Sequence, residues 1–286
     1  MKLALGTVQF GLPYGLSGRS SGVPYDEAEL MVRTAKSAGI ELVDTAMSYG
    51  SSESCLGKIG MDEMKVVTKI SSLPDTPGDM ANLMGKQVLG SLERLGLDSL
   101  YGLLLHHPSQ LFSPEGKRIT EGLEGLKKDK LVQKTGVSIY SAEELEKLLD
   151  CQAFDVVQLP INILDKRLLS TGLIDRLVAT GTEIHARSVF LQGLLLKPFD
   201  QIPAYFAPWM QLLRAWHDWL GREGRTALEV CIAYIKSLEV IDYLVVGANS
   251  NSQLSEIIAA YDSATTCEFP PIESDDPNLL NPGLWQ

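Results

Sequence analysis

The sequence predicts an α/β chain folded as a (β/α)8 TIM barrel. Three observations carry that prediction. Eight short apolar runs recur along the chain, and near-continuous apolar strands suit a parallel sheet buried on both faces. Longer amphipathic segments separate the runs, and regular alternation of the two argues for a parallel α/β fold. The 286 residues are close to the roughly 250 that one such barrel needs, and no long linker divides them.

The elements follow in order. Leu3–Leu5 leads into Gly6 and Thr7, and Asp26–Ser37 reads as the first helix. Leu42–Val43 ends at Asp44, and a short helix, Ser52–Lys58, follows. Val66–Val67 ends at Lys69 and precedes a helix over Met80–Leu95. Leu103–Leu105 ends at His106, with a helix over Pro114–Asp129. Val132–Val137 ends at Ser138. Ser141, with Glu143 and Glu144 behind it, looks like a helix cap with acidic residues in the first turn of Ala142–Asp150. Val156–Leu159 carries Gln158, Ile184–Val189 carries Arg187, and Tyr243–Val246 ends at Gly247 before a helix over Gln253–Tyr261.

One stretch breaks the rhythm. Between Arg187 and a helix starting near Thr226 lies an insertion with a predicted helix, Ala207–Leu220, carrying Trp209, Trp216 and Trp219. It reads either as an amphipathic helix packed on the barrel or as part of a lid. The expected organisation is one domain over residues 1–286, with an extra helical segment around 196–225 and an irregular tail around 263–286.

The formal net charge of −11 argues against a nucleic-acid or anionic-membrane surface. It leaves room for a phosphorylated cofactor, which needs only local donors. The four cysteines are far apart and form no CxxC pair; free thiols in a reducing compartment are expected, and no metal site. No N-terminal stretch combines a basic start with a long apolar run, so neither a signal peptide nor a membrane span is expected, and the cytoplasm is the expected compartment.

In a barrel of this type the active site lies at the C-terminal strand ends. Three of the first four strands place an ionisable side chain there: Asp44, Lys69 and His106. Each alone has a plain structural reading, as a helix cap, a lysine reaching water and a core histidine. Their shared rim favours a site, because unpaired buried charge is costly. Tyr49 lies five residues beyond Asp44. A phenol beside an ammonium and a carboxylate can donate a proton to a carbonyl oxygen, and the ammonium is expected to lower its pKa from about 10. His106 would hydrogen-bond that carbonyl. The hydride must come from a cofactor.

The run DTAMSYGSSE (Asp44–Glu53), the VVTK ending at Lys69, the LLLHHP around His106 and the TGVSIYS around Ser138 resemble the aldo-keto reductase superfamily. The resemblance continues through VVQLPINILD and VVGANSNSQLSEI, in order along nearly the whole chain. It implies that Asp44, Tyr49, Lys69 and His106 form the catalytic set, with Tyr49 as general acid. His106 is preferred to His107 because the matching histidine precedes a proline by two positions. The resemblance places the nicotinamide carboxamide at Ser138 and Gln158, and the cofactor also near Gly6 and Thr7. It puts the pyrophosphate under Ser188, Phe190 and Gln192, and the adenosine ribose at Asn249, Gln253 and Glu256. Three departures stand out. Ile139 replaces an asparagine. Arg187 replaces the aromatic residue that stacks on the nicotinamide, and reads as a stacking plane, a salt bridge or a contact to a substrate anion. Gly247 and Gln253 stand where many members carry basic residues for a 2′-phosphate. NADPH is the cofactor the resemblance implies, with NADH as the alternative. The expected substrate is an aldehyde or ketone, sugar-like compounds included, lined by Phe10, Tyr14, Met47, His107 and Trp285. Two other readings remain: a cofactor-binding sensor or scaffold without significant turnover, and a Schiff-base enzyme with Lys69 as nucleophile.

Overall fold

The computed structural model describes residues 1–16, 21–74, 78–265 and 267–285. Eight parallel strands close into a barrel in sequence order. They are β1 (Lys2–Gly6), β2 (Leu42–Asp44), β3 (Lys65–Ile70), β4 (Leu100–Leu105), β5 (Val132–Ser138), β6 (Val156–Pro160), β7 (Glu183–Arg187) and β8 (Tyr243–Gly247). Closure is made by β1 against β8, with Gly6 opposite both Asp44 and Gly247. The helices are α1 (Tyr25–Ser37), α2 (Ser52–Ile59), α3 (Met80–Leu95), α4 (Gly116–Lys128), α5 (Ala142–Cys151), α6 (Leu173–Ala179), α7 (Met210–Glu223), α8 (Ala227–Lys236), α9 (Asn251–Ser263) and the single turn α10 (Pro277–Leu280). The (β/α)8 TIM barrel that the sequence predicts is the architecture found. None of the helices among the described residues is long and apolar enough to cross a membrane.

Side chains alternate across a strand, so every second residue faces the barrel axis. That period stacks the interior in layers. Ala4, Leu42, Val67, Leu104, Val156 and Tyr243 form the buried inner cluster. Two residues further along the same strands stand Gly6, Asp44, Lys69, His106, Gln158 and Val245. The site is therefore the top layer of the barrel core, and its polar side chains converge because the apolar ones beneath them do. The same spacing closes the bottom with charge. Lys134 and Tyr101 reach Glu183 at 2.6 and 2.8 Å, and His185 meets it at 2.7 Å. Burial alone would raise the Glu183 carboxyl; hydrogen bonds from His185, Lys134 and Tyr101 outweigh it and hold the group at about 2.

Two elements differ from the sequence expectation. The tryptophan-rich helix starts at Met210, not Ala207, because Pro208 lacks the amide an α-helix interior needs. Ala204–Trp209 instead forms a 3-10 turn containing that proline. On α7, Trp216 is fully buried and donates from its ring nitrogen to Leu195 O at 3.0 Å. The tail is also more ordered than expected. Asp276 caps α10 through Asn278 N at 2.9 Å, and Trp209 Nε1 donates to Asp276 Oδ2 at 3.1 Å. Trp285 meets Phe206 edge to face at 4.9 Å.

One close approach positions the site. The turn after β1 passes the loop between β2 and α2 so tightly that a Cβ on Gly11 would lie 1.8 Å from Tyr49 O and 2.6 Å from Ser52 N. Backbone cannot yield as a flexible side chain can. Gly11→Ala is expected to destabilise the fold by about 1–3 kcal/mol, as measured by urea denaturation, and to lower any activity that depends on Tyr49.

Candidate active site

A cavity of about 560 Å³ opens at the C-terminal strand ends. Asp44, Tyr49 and His106 line it. Lys69 lies beneath, 1% exposed, with its ammonium 2.8 and 2.7 Å from the two Asp44 carboxylate oxygens and 2.8 Å from Thr45 O. Burial pulls the Lys69 ammonium toward deprotonation and Asp44 opposes that. Gln158 donates from Nε2 to Asp44 Oδ1 at 2.7 Å, and Ser138 Oγ donates to Gln158 Oε1 at 3.1 Å. One chain of hydrogen bonds thus runs from β5 through β6 and β2 to β3.

Tyr49 is held by its backbone. Ser52 N donates to Tyr49 O and Tyr49 N to Ala46 O, both at 3.0 Å. Ser52 Oγ, fully buried at the start of α2, donates to Thr7 O at 2.8 Å and lies 3.1 Å from Thr45 Oγ1. The Tyr49 ring stands 5.1 Å from the Lys69 ammonium and edge-on to His106 at 5.9 Å. The expected lowering of the Tyr49 pKa is not found. Burial raises it first and the Asp44 charge raises it further, while Arg187 pulls the other way. Lys69 spends its charge on Asp44, in contact with it, and its distance to the phenol ring is nearly twice as great. The phenol is therefore held protonated, the form that donates.

His106 and His107 part company by the alternation of β4. Leu104 faces the axis, so His106 does too and lines the cavity, while His107 is exposed. Burial, then the charges of Lys69 and His107, bring His106 down to about 4. Its Nδ1 lies 3.3 Å from Ser48 Oγ. With Ser48 donating there, the neutral ring carries its proton on Nε2 and offers it to an acceptor.

The twelve residues expected around the cofactor all line the same cavity. Gly6, Thr7, Ser138 and Gln158 form its floor. Arg187 ends β7, and Ser188, Phe190 and Gln192 come from the turn after it. Gly247, Asn249, Gln253 and Glu256 lie where β8 meets α9. Two observations fit a polar ligand. Gln9 Oε1 is buried without a hydrogen-bond partner, which costs about 1–3 kcal/mol unless something fills the gap. A Cβ on Gly247 would lie 2.6 Å from Gln9 Nε2, so the glycine makes room for that side chain. Ser188, Leu191 and Gln192 also hold φ of 60, 47 and 50°, and such strained backbone gathers at ligand sites. Gln9 escaped the sequence reading, although a lone polar residue inside GTVQFGL was a signal. So did Tyr140, which lines the cavity two residues beyond Ser138.

The departures also have places. Ile139 turns its side chain into the outer core and offers its carbonyl to Arg187 Nη2 at 2.7 Å. Arg187 stacks on Tyr140 at 4.4 Å and donates to Ser188 Oγ at 3.1 Å. It forms no salt bridge among the described residues. Of the expected substrate residues, Tyr14 lines the cavity. The other four do not. Phe10 is 4% exposed, drawn into the core by the 3-10 turn Val8–Phe10. Met47 packs against the same core, and His107 faces outward. The tail carries Trp285 to a separate cavity shared with Gln192 and Phe206.

Two outcomes follow. A nuclear magnetic resonance titration of His106 should show a midpoint near 4 instead of the ordinary 6.5. Its folded value is depressed, so the contribution to stability is intact above pH 6.5 and is lost as pH falls from 6.5 toward 4. Asp44→Ala should destabilise the fold by about 3–5 kcal/mol in denaturant unfolding, because it leaves the Lys69 charge buried and unpaired.

Comparison with known proteins agrees with this geometry. The Aldo/keto reductase family model matches residues 2–269. The "NADH-specific methylglyoxal reductase" of Escherichia coli is 25% identical over 262 residues, 79% of this chain and 80% of that one. An aldo-keto reductase of Mycolicibacterium smegmatis is 34% identical over 136 residues, 45% of each chain. The solved structure of an aldo-keto reductase from Bacillus halodurans superposes with a TM-score of 0.74 at 20% identity, over 93% of this chain and 88% of that one, which speaks to the fold alone. With a family match over nearly its whole length and a site at the expected strand ends, this chain belongs to the aldo/keto reductase family of nicotinamide-dependent oxidoreductases.

Proposed function

We propose that the protein reduces an aldehyde or ketone with Tyr49 as the proton donor. The observation that carries this reading is the convergence of the Tyr49 phenol and the His106 imidazole on one cavity, above the buried ion pair of Lys69 and Asp44. The carbonyl oxygen accepts hydrogen bonds from Tyr49 Oη and His106 Nε2, which orient the carbon and draw charge onto the oxygen. A nicotinamide cofactor, when bound, would supply the hydride. Tyr49 gives its proton to the oxygen as negative charge develops there. Asp44 keeps Lys69 charged and fixed, which makes a nucleophilic amine at this position unfavourable.

Ser138 and Gln158 are the donors and acceptors for the carboxamide, and Gln9, beside Gly247, offers its unpaired oxygen. At the α9 end the lining is Asn249, Gln253 and Glu256, with no cation on that helix turn. Gln253 is already engaged by Asn249 N at 2.9 Å. A 2′-phosphate would meet the Glu256 carboxylate there, whereas a 2′-hydroxyl could donate to it. NADH is therefore proposed to bind at least as tightly as NADPH, in place of the NADPH preference that the resemblance suggests.

Calorimetric titration with each dinucleotide checks this directly; NADPH binding more than tenfold tighter would reverse the assignment. Tyr49→Phe should lower kcat by about 10²–10⁴ in an assay of cofactor oxidation with methylglyoxal and a panel of aldehydes and ketones. The same variant should keep its dinucleotide affinity. Retention of most of the turnover would move the acid elsewhere.

A further inference from the structure

Arg187 is a charge at the catalytic end of the cavity that no carboxylate answers among the described residues. Asp44 is matched by Lys69 at 2.7 Å, and Tyr49 and His106 are neutral near pH 7 for the reasons given. Arg187 is partly buried, lines the cavity and has no carboxylate partner among the described residues. Its geometry is set beforehand. One face of the guanidinium lies 4.4 Å from the Tyr140 ring, Nη2 donates to Ile139 O and Nη1 to Ser188 Oγ. A guanidinium has five N–H donors. The remainder have no acceptor among the described residues, and a planar fork of that kind suits a carboxylate.

We propose, on the reductase reading above, that the substrate is a carbonyl compound bearing a carboxylate, and that Arg187 binds that carboxylate while the carbonyl sits at Tyr49 and His106. The position favours substrate over the cofactor's phosphates. Arg187 donates to the carbonyl of Ile139, the residue after Ser138, and its charge acts on Tyr49, His106 and Lys69. Arg187 thus belongs to the reacting end of the cavity. A single guanidinium matches a single negative charge, while a phosphate monoester carries about −1.5 to −2 near neutral pH and asks for a second cation. Tyr140 is part of the device, because its ring holds the guanidinium plane from the solvent side, 38% exposed itself.

The test compares matched pairs. Glyoxylate, succinic semialdehyde and 4-carboxybenzaldehyde are each assayed against the corresponding neutral amide, which spans three separations of carbonyl and carboxylate. The wild-type protein should favour the acid in kcat/KM by about 10- to 100-fold in at least one pair, the range of a charged hydrogen bond. Arg187→Gln should abolish that ratio, and Arg187→Lys should restore part of it. Dinucleotide binding is measured on every variant. A wild-type ratio near one in all three pairs overturns the proposal. So does an Arg187→Gln protein that keeps the ratio but binds NADH tenfold more weakly, since the guanidinium would then serve the cofactor. If neither acids nor amides are reduced although NADH binds, the reductase reading itself fails. Calorimetry of 4-(hydroxymethyl)benzoate against its amide on the NADH complex then decides the proposal without turnover: Arg187-dependent preference for the acid supports it, and equal binding overturns it.

Discussion

The ion pair between Lys69 and Asp44 is the constraint from which the site takes its shape. An ammonium 1% exposed has no water to solvate it. It persists only because both carboxylate oxygens and Thr45 O surround it. Each partner brings its own strand with it, so the pair locks β2 to β3, and Gln158 extends the lock to β6. The loop bearing Tyr49 leaves directly from this knot. The pair is neutral as a unit, whereas the guanidinium of Arg187 has no such mate among the described residues.

Much of this was legible because strand periodicity is a strong signal. Apolar runs located all eight strands, and the residues that end them are the ones that face the cavity. The preference for His106 over His107 came from resemblance to a motif, and the fold supplies the physical reason: with Leu104 pointing inward, His107 cannot. Periodicity ends where strands end, and there the sequence became hard to read. Phe10 and Met47 follow strand ends as plausibly as Tyr14 does, yet Phe10 is drawn into the core and Met47 packs, half-buried, against it. Nothing in the order of residues announces that the tail returns to the 3-10 turn before α7, because that contact depends on Trp209 and Tyr205 finding partners far along the chain.

The electrostatics of Tyr49 carry a related lesson. Proximity of a lysine suggests an acidified phenol, and the two groups are indeed neighbours. Net charge decides the sign. A cation already paired at contact distance acts on a third group as a dipole, and a dipole's reach is short beside the loss of solvent around the hydroxyl. Sequence spacing reports which groups meet but not which of them are already taken.

The turn after β7 holds three non-glycine residues in left-handed backbone, Ser188, Leu191 and Gln192. The surrounding chain enforces that shape: Asn162 Nδ2 donates to Ser188 O, and Leu16 N to Gln192 O. A segment already confined to one conformation surrenders little entropy when a ligand settles on it. A ligand that settles on this wall of the cavity meets backbone whose shape the folding of the barrel has already set.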